Sequence, residues 1–200
     1  TMKNIKILVL ALTVVGFYNC KDAKKEADKV NSEMDSEMDS EMEKVAEEVT
    51  TNRISMLMEP KSDSEVSGEV SFVEKDGEVT MTANFSGLTE GEHAIHIHQT
   101  ADCSAADGSS TGGHWNPTNE PHGKWGDAKG YHKGDIGNFT AGSDGKGMVE
   151  FSTDQWCIGC DDENKNIEGK GLIVHQGTDD FTSQPSGAAG ARISCAGLIQ

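Results

Sequence analysis

Val66-Ser67-Gly68-Glu69-Val70-Ser71-Phe72 and Val79-Thr80-Met81-Thr82-Ala83-Asn84-Phe85 lie on either side of Glu74-Lys75-Asp76-Gly77. In both runs every second residue is apolar or glycine, the period of a strand that buries one face. Asp-Gly between two such runs is a strong hairpin signal, because both residues tolerate positive φ. Upstream, Ile54, Met56 and Met58 alternate in the same way. Downstream, the pattern predicts short strands at 92–98, 146–152, 170–175 and 191–196. No long stretch places apolar residues at helical spacing. Repeated short strands punctuated by glycine read as an all-β sandwich or barrel. The 23 glycines among 200 residues fit a loop-rich domain of that kind. A formal charge of −17 argues against nucleic acid as a partner.

Residues 99–135 form a long irregular stretch between two predicted strands. Long loops in compact domains are usually functional, and this one carries His114, His122 and His132. All seven histidines of the chain lie between His93 and His175. Packing or surface polarity would scatter them, whereas concentration beside glycines points to metal ligands. His96 and His98 are two apart on one strand, so their rings project to one side and can converge on one ion. His175 closes another strand and can supply a third imidazole. His114 lies in Gly112-Gly113-His114-Trp115-Asn116-Pro117, where the backbone can bend to bring its ring in. Four imidazoles without a thiolate suit cupric ion. His114, His122, His132 and Asp135 make a second set; three imidazoles and a carboxylate suit tetrahedral zinc. His114 belongs to both sets, and its two ring nitrogens offer one donor to each ion.

The N-terminal part is a different material. Lys3 and Lys6 precede an apolar run from Ile7 to Phe17, ending at Asn19-Cys20. This order describes a secretory signal over residues 1–20. The run is too short to cross a bilayer core of about 30 Å comfortably. Cys20 followed by Lys21-Asp22 resembles a bacterial lipoprotein cleavage site, with Phe17-Tyr18-Asn19 where small residues are usual. The alternative is a plain signal with Cys20 discarded or left free. Residues 21–50 lack aromatics, glycine and proline and carry a four-residue repeat, Ser-Glu-Met-Asp at Met34 and Met38 and Ser-Glu-Met-Glu at Met42. They read as an acidic solvated linker. The three thioethers could instead bind cuprous ion. The folded domain is expected over residues 51–200.

There are five cysteines. With Cys20 set aside as a lipid site, Cys103, Cys157, Cys160 and Cys195 remain, an even number suited to an oxidising compartment. Trp156-Cys157-Ile158-Gly159-Cys160 can be a local disulfide staple, a redox pair or a metal clip. No βαβ context surrounds it, which argues against a thioredoxin-like role.

Across residues 53–199 the chain resembles the bacterial copper–zinc superoxide dismutases. The resemblance rests on Gly91-Glu92-His93-Ala94-Ile95-His96-Ile97-His98, Gly113-His114-Trp115-Asn116-Pro117, His122-Gly123, His132-Lys133-Gly134-Asp135-Ile136-Gly137-Asn138, Val174-His175 with Asp179-Asp180, and Gly190-Ala191-Arg192-Ile193-Ser194-Cys195. It implies an eight-stranded Greek-key β-sandwich or flattened barrel with long metal-binding loops. It implies copper on His96, His98, His114 and His175, and zinc on His114, His122, His132 and Asp135. Arg192 matches the arginine that receives the anion, and Cys103 with Cys195 matches the intradomain disulfide. Asp179 matches a carboxylate that links His96 to His122 and fixes their rings. His93 matches a supporting histidine, though it also reads as a satisfied core residue.

The implied activity is dismutation of superoxide to dioxygen and hydrogen peroxide through a copper redox cycle, with His114 anchored on zinc and carrying a proton. The implied setting is extracytoplasmic, in the periplasm or on a membrane-anchored lipoprotein. The resemblance allows a monomer or a homodimer. A non-catalytic copper-buffering lipoprotein and a copper-only variant are the competing readings. Arg192 argues against the first, and the complete zinc set against the second. Two departures stand out. Gly187-Ala188-Ala189-Gly190 lacks the asparagine that relatives often carry, which puts the placement of Arg192 in question. No lysine lies between His175 and Arg192, so Lys124, Lys129 and Lys133 are the candidates for steering an anion to an acidic protein.

Overall fold

The computed structural model describes residues 51–199. The expected signal, Cys20 and the Met-containing linker lie outside the described residues. Eight strands follow one another along the chain: β1 (Asn52–Pro60), β2 (Ser67–Lys75), β3 (Glu78–Ser86), β4 (Gly91–His98), β5 (Gly137–Ala141), β6 (Gly147–Thr153), β7 (Gly171–His175) and β8 (Arg192–Gly197). All pairings are antiparallel, and the strands close into a barrel in the order β1-β2-β3-β6-β5-β4-β7-β8. β4, β5 and β6 lie side by side, and β7 returns beside β4, a Greek-key arrangement. Among the described residues no helix is long and apolar enough to cross a membrane.

The β2–β3 hairpin forms where the Asp-Gly signal lies. Asp76 and Gly77 have φ of 54° and 80°, and Lys75 pairs with Glu78. Positive φ at both central residues matches the right-handed twist of the strands. The alternation upstream and downstream becomes the core: Ile54, Met58, Val70, Phe72, Val79, Met81, Ala83 and Phe85 are all buried.

β5 is the strand that the sequence pattern does not predict. Its inward residues are Gly137, Phe139 and Ala141. With two of the three so small, the hydrophobic alternation has almost no amplitude, so pairing with β4 rather than local pattern makes this segment a strand.

β4 and β7 have both of their faces covered. Ile95, Ile97, Leu172 and Val174 point into the core. The opposite face carries His96, His98 and His175, sealed from outside by loops. Residues 99–136 are stitched onto the end of β4: Trp115 N donates to Ile97 O at 2.8 Å, and Ile97 N to Gly134 O at 2.9 Å. His98 and His114 form an isolated bridge, and a short 3-10 turn spans Ser109–Thr111. A disulfide joins Cys103 in this loop to Cys195 on β8, 92 residues away. A second joins Cys157 to Cys160 in the loop between β6 and β7.

Candidate metal centre

Period two on β4 puts His96 and His98 on the same outer face. Their neighbour on the same sheet, β7, ends at His175 beside them, at the bulge between Val174 and His175. The loop bridge at His98 brings in His114. One donor atom from each of His96, His98, His114 and His175 lies within 4.8 Å of the others, and all four side chains are buried. A second group, His114, His122, His132 and Asp135, meets the same limit and is equally buried. The two sets read from the sequence are therefore brought together as sets, with His114 in both.

His96, His98, His122 and His175 are each held through one ring nitrogen. His96 Nε2 donates to Asp179 Oδ2 at 2.9 Å, and His98 Nδ1 donates to Gly112 O at 2.9 Å. His175 Nδ1 reaches Gly190 O at 3.4 Å, and its Nε2 lies 3.4 Å from His98 Nε2. On the other side, His114 Nδ1 lies 2.8 Å from Asp135 Oδ1. Asp135 Oδ2 accepts the backbone N–H of His132 at 2.8 Å and that of Gly123 at 3.2 Å. His122 Nε2 donates to Asp179 Oδ1 at 2.8 Å. One carboxylate thus ties a histidine of the first cage to a histidine of the second. Among the described residues four buried ring nitrogens have no hydrogen-bond partner: His96 Nδ1, His114 Nε2, His122 Nδ1 and His132 Nδ1. Native interiors rarely leave such atoms unmatched. The two His114 nitrogens face different ways, Nδ1 to Asp135 and Nε2 to the His96 cage.

The electrostatics of the two cages differ. Burial pushes His98 and His175 well below the usual imidazole range, and the neighbouring imidazoles push the same way. Burial also brings His114 down to about 4 despite the opposing pull of Asp135. In the second cage burial alone would lower His122, but the Asp135 carboxylate beside its Nδ1 and the bond of its Nε2 to Asp179 outweigh that and raise it to about 9. Burial would raise Asp135, yet its bond to the His114 ring, the facing rings of His122 and His132 and the backbone N–H of His132 hold it far below the ordinary carboxylate range. Burial therefore favours the neutral form of His98, His114 and His175, while Asp135 in the second cage stays ionised. Neutral imidazole and ionised carboxylate are the forms that bind metal.

His93 is buried behind this site. Its Nδ1 lies 3.0 Å from His175 O, and its Nε2 lies 2.9 Å from Thr89 O and 3.3 Å from Thr89 Oγ1. It fastens β4 to the backbone of a cage histidine and joins neither donor group. Arg192, first residue of β8, donates through Nη1 to Gly108 O and Thr111 Oγ1 and through Nη2 to Gly112 O. Among the described residues none of the 176–190 loop bonds to it. With alanine at 188 and 189, the three bonds of the guanidinium all go to the 108–112 turn. Of the lysines, Lys133 is tied by its amine to Gln155, and Lys124 sits over the Phe181 ring. Lys129 is exposed.

Three supporting residues have no signature in the sequence. Asn138 exchanges two bonds with the backbone of Asp179, both 2.8 Å. Gln184 does the same with His122, both 2.9 Å. Thr111 is the third. Their partners are far away in the chain, and no local pattern marks them.

Comparison with known proteins agrees with this geometry. A solved structure described as "Crystal Structure Analysis of the clock protein EA4" matches with a TM-score of 0.64 at 27% identity, covering 76% of this chain and 97% of that chain. Residues 66–198, from β2 through β8 and including every residue of both cages, match the family model described as "Copper/zinc superoxide dismutase (SODC)". A barrel carrying two fused donor sets, one of nitrogen alone and one with a carboxylate, is what a protein binding both of those metals requires, and the chain belongs to the copper/zinc superoxide dismutase family.

Proposed function

We propose that His96, His98, His114 and His175 hold copper, that His114, His122, His132 and Asp135 hold zinc, and that superoxide is dismuted at the copper side with Arg192 as its docking group. The observation that carries this reading is the pair of nitrogens on His114, one turned to each cage, with Nε2 buried and unpartnered. In the overall reaction one superoxide gives up an electron and becomes dioxygen; a second takes that electron with two protons and becomes hydrogen peroxide. Copper supplies one-electron chemistry by alternating between two oxidation states, and zinc supplies a fixed charge without redox change.

The protein's own contribution is positioning. His114 is anchored on its Nδ1 side beside Asp135, so Nε2 is the atom where a proton can be held and passed to the reduced anion. Asp179, Asn138 and Gln184 fix the rings of His96 and His122. Arg192 is charged at all working pH values and presents directed N–H groups, which suits a diatomic anion.

The reading extends to the setting. Residues 1–20 act as a signal, Cys20 takes a lipid, residues 21–50 form a tether, and residues 51–200 work outside the cytoplasm as the enzyme. The two disulfides support an oxidising compartment. The experiment is metal analysis with a superoxide assay on the purified protein. One copper, one zinc and activity lost in His114→Ala are expected; an active protein lacking either metal would overturn the assignment. Mass spectrometry of the Cys20 peptide from native membranes should find a lipid adduct, and a free thiol there would remove the anchor.

A further inference from the structure

The guanidinium of Arg192 rests on the turn 108–112, and three of its contacts come from that turn. The carbonyls of Gly108 and Gly112 are backbone groups that any residue would offer. Thr111 is different, because only its side chain supplies the third acceptor. Thr111 is fully buried. Its Oγ1 donates to Gly108 O at 2.9 Å and lies 2.9 Å from Arg192 Nη1. A hydroxyl has a single proton. With that proton committed to Gly108 O, the lone pair is the part that meets Arg192. The direction of this bond is therefore set by the turn and does not fluctuate with solvent.

A donor count follows. Arginine has five N–H groups. Both on Nη1 are used, by Gly108 O and Thr111 Oγ1, and one on Nη2 is used by Gly112 O. Nε–H and the second Nη2–H meet no acceptor among the described residues. We infer that Thr111 is a positioning residue for anion recognition: its hydroxyl fixes the plane of the Arg192 guanidinium and so decides which two N–H groups stay free to receive the anion. Without the hydroxyl, Nη1 and Nη2 keep one carbonyl each, and the planar group can pivot about those two points. The charge remains, but the free donors lose their direction. This inference rests on Arg192 docking the anion, as proposed above.

The test uses azide, a small linear anion, titrated into the copper- and zinc-loaded full-length protein and followed by visible absorption. Thr111→Val keeps the branched shape and removes the hydroxyl; Thr111→Ala removes it with less bulk, and Thr111→Ser restores it. Metal content and thermal midpoint are measured for each. The expected result is azide binding weakened about three- to tenfold in Thr111→Val and Thr111→Ala, with Thr111→Ser within about twofold of the parent. Nitrogen-15 spectra of the metal-free protein should show faster exchange of the Arg192 Nη protons in the same two variants. Arg192→Gln separates the two ideas. If it weakens azide while the metal-loaded variants without the hydroxyl bind as the parent does, Thr111 has no positioning role. If Arg192→Gln itself leaves azide binding unchanged, the docking role of Arg192 fails and this inference goes with it. If only one of Val and Ala yields folded, metal-loaded protein, that variant decides. If neither does, the Arg192 exchange rate in Thr111→Ser decides: a rate at the parent level supports the role, and a rate raised to that of free arginine overturns it.

Discussion

His98 and Arg192 meet at one atom, the carbonyl oxygen of Gly112. It accepts Nδ1–H of His98 at 2.9 Å and Nη2–H of Arg192 at 2.8 Å. A histidine of the nitrogen cage and the arginine proposed to dock the anion are thereby registered to the same peptide group. Arg192→Lys keeps the charge but cannot reproduce the three directed bonds, since lysine is a point charge on a flexible stem. The rate of superoxide removal should fall by about tenfold or more, with copper content unchanged. Pulse radiolysis would measure it, and a rate equal to the parent's would show that charge alone is enough.

Asp179 hydrogen-bonds a ring of each cage. Its two oxygens accept from His96 and His122, and Asp179→Asn would replace one acceptor by an N–H donor facing another donor. Zinc affinity should drop about ten- to hundredfold. Competition with a chromophoric chelator would show it; unchanged affinity would mean that the rings are held by packing alone.

Gly187 lies against this same bridge. A Cβ there would sit 1.8 Å from Asp179 Oδ1 and 2.7 Å from His122 Nε2, and the residue has φ of 70°. Gly187→Ala must therefore push the carboxylate off its partners or distort the loop. The backbone conformation alone costs about 1–3 kcal/mol. Thermal unfolding of the metal-free protein should show the loss, and metal loading should fall with it.

The two disulfides should differ in worth. Cys103–Cys195 closes a loop of 92 residues in separation, and Cys157–Cys160 one of 3. Chain-entropy arguments give about 4.5 kcal/mol for the first and about 2 kcal/mol for the second. Urea unfolding of the paired Cys→Ala variants would test the ranking. An equal loss would point to a packing role for the short bridge, where Cys157 lies beside the buried Trp156.

Lys133 is tethered to Gln155, so Lys124 and Lys129 are the steering candidates that remain extended toward solvent. Converting both to Gln should lower the rate severalfold at low ionic strength and much less at 0.15 M salt, where the screening length is about 8 Å. A salt dependence identical to the parent's would locate the steering field elsewhere.

The hairpin at Asp76-Gly77 and the alternating strands were legible because they are local patterns with a period of two. The cages were legible for a related reason. His96 and His98 announce a shared face by spacing alone, and the remaining ligands stand out by residue type among glycines. β5 was not legible, because Gly137 and Ala141 carry too little hydrophobic contrast to show a period. The partners of the Arg192 guanidinium were not legible either, because they lie 80 to 84 residues away.

The sequence alone thus determined the all-β architecture, the two donor sets and the cysteines available for pairing, since periodicity and side-chain chemistry are written residue by residue. Only the tertiary structure decided which ring nitrogen of His96, His98, His122 and His175 is tied down. It also brought Gln184 to His122, Asn138 to Asp179 and Thr111 to Arg192. Hydrogen bonds depend on distance and direction in space. When the partners are separated by 41 to 81 residues, those are set by how the strands close into a barrel and by no pattern along the chain.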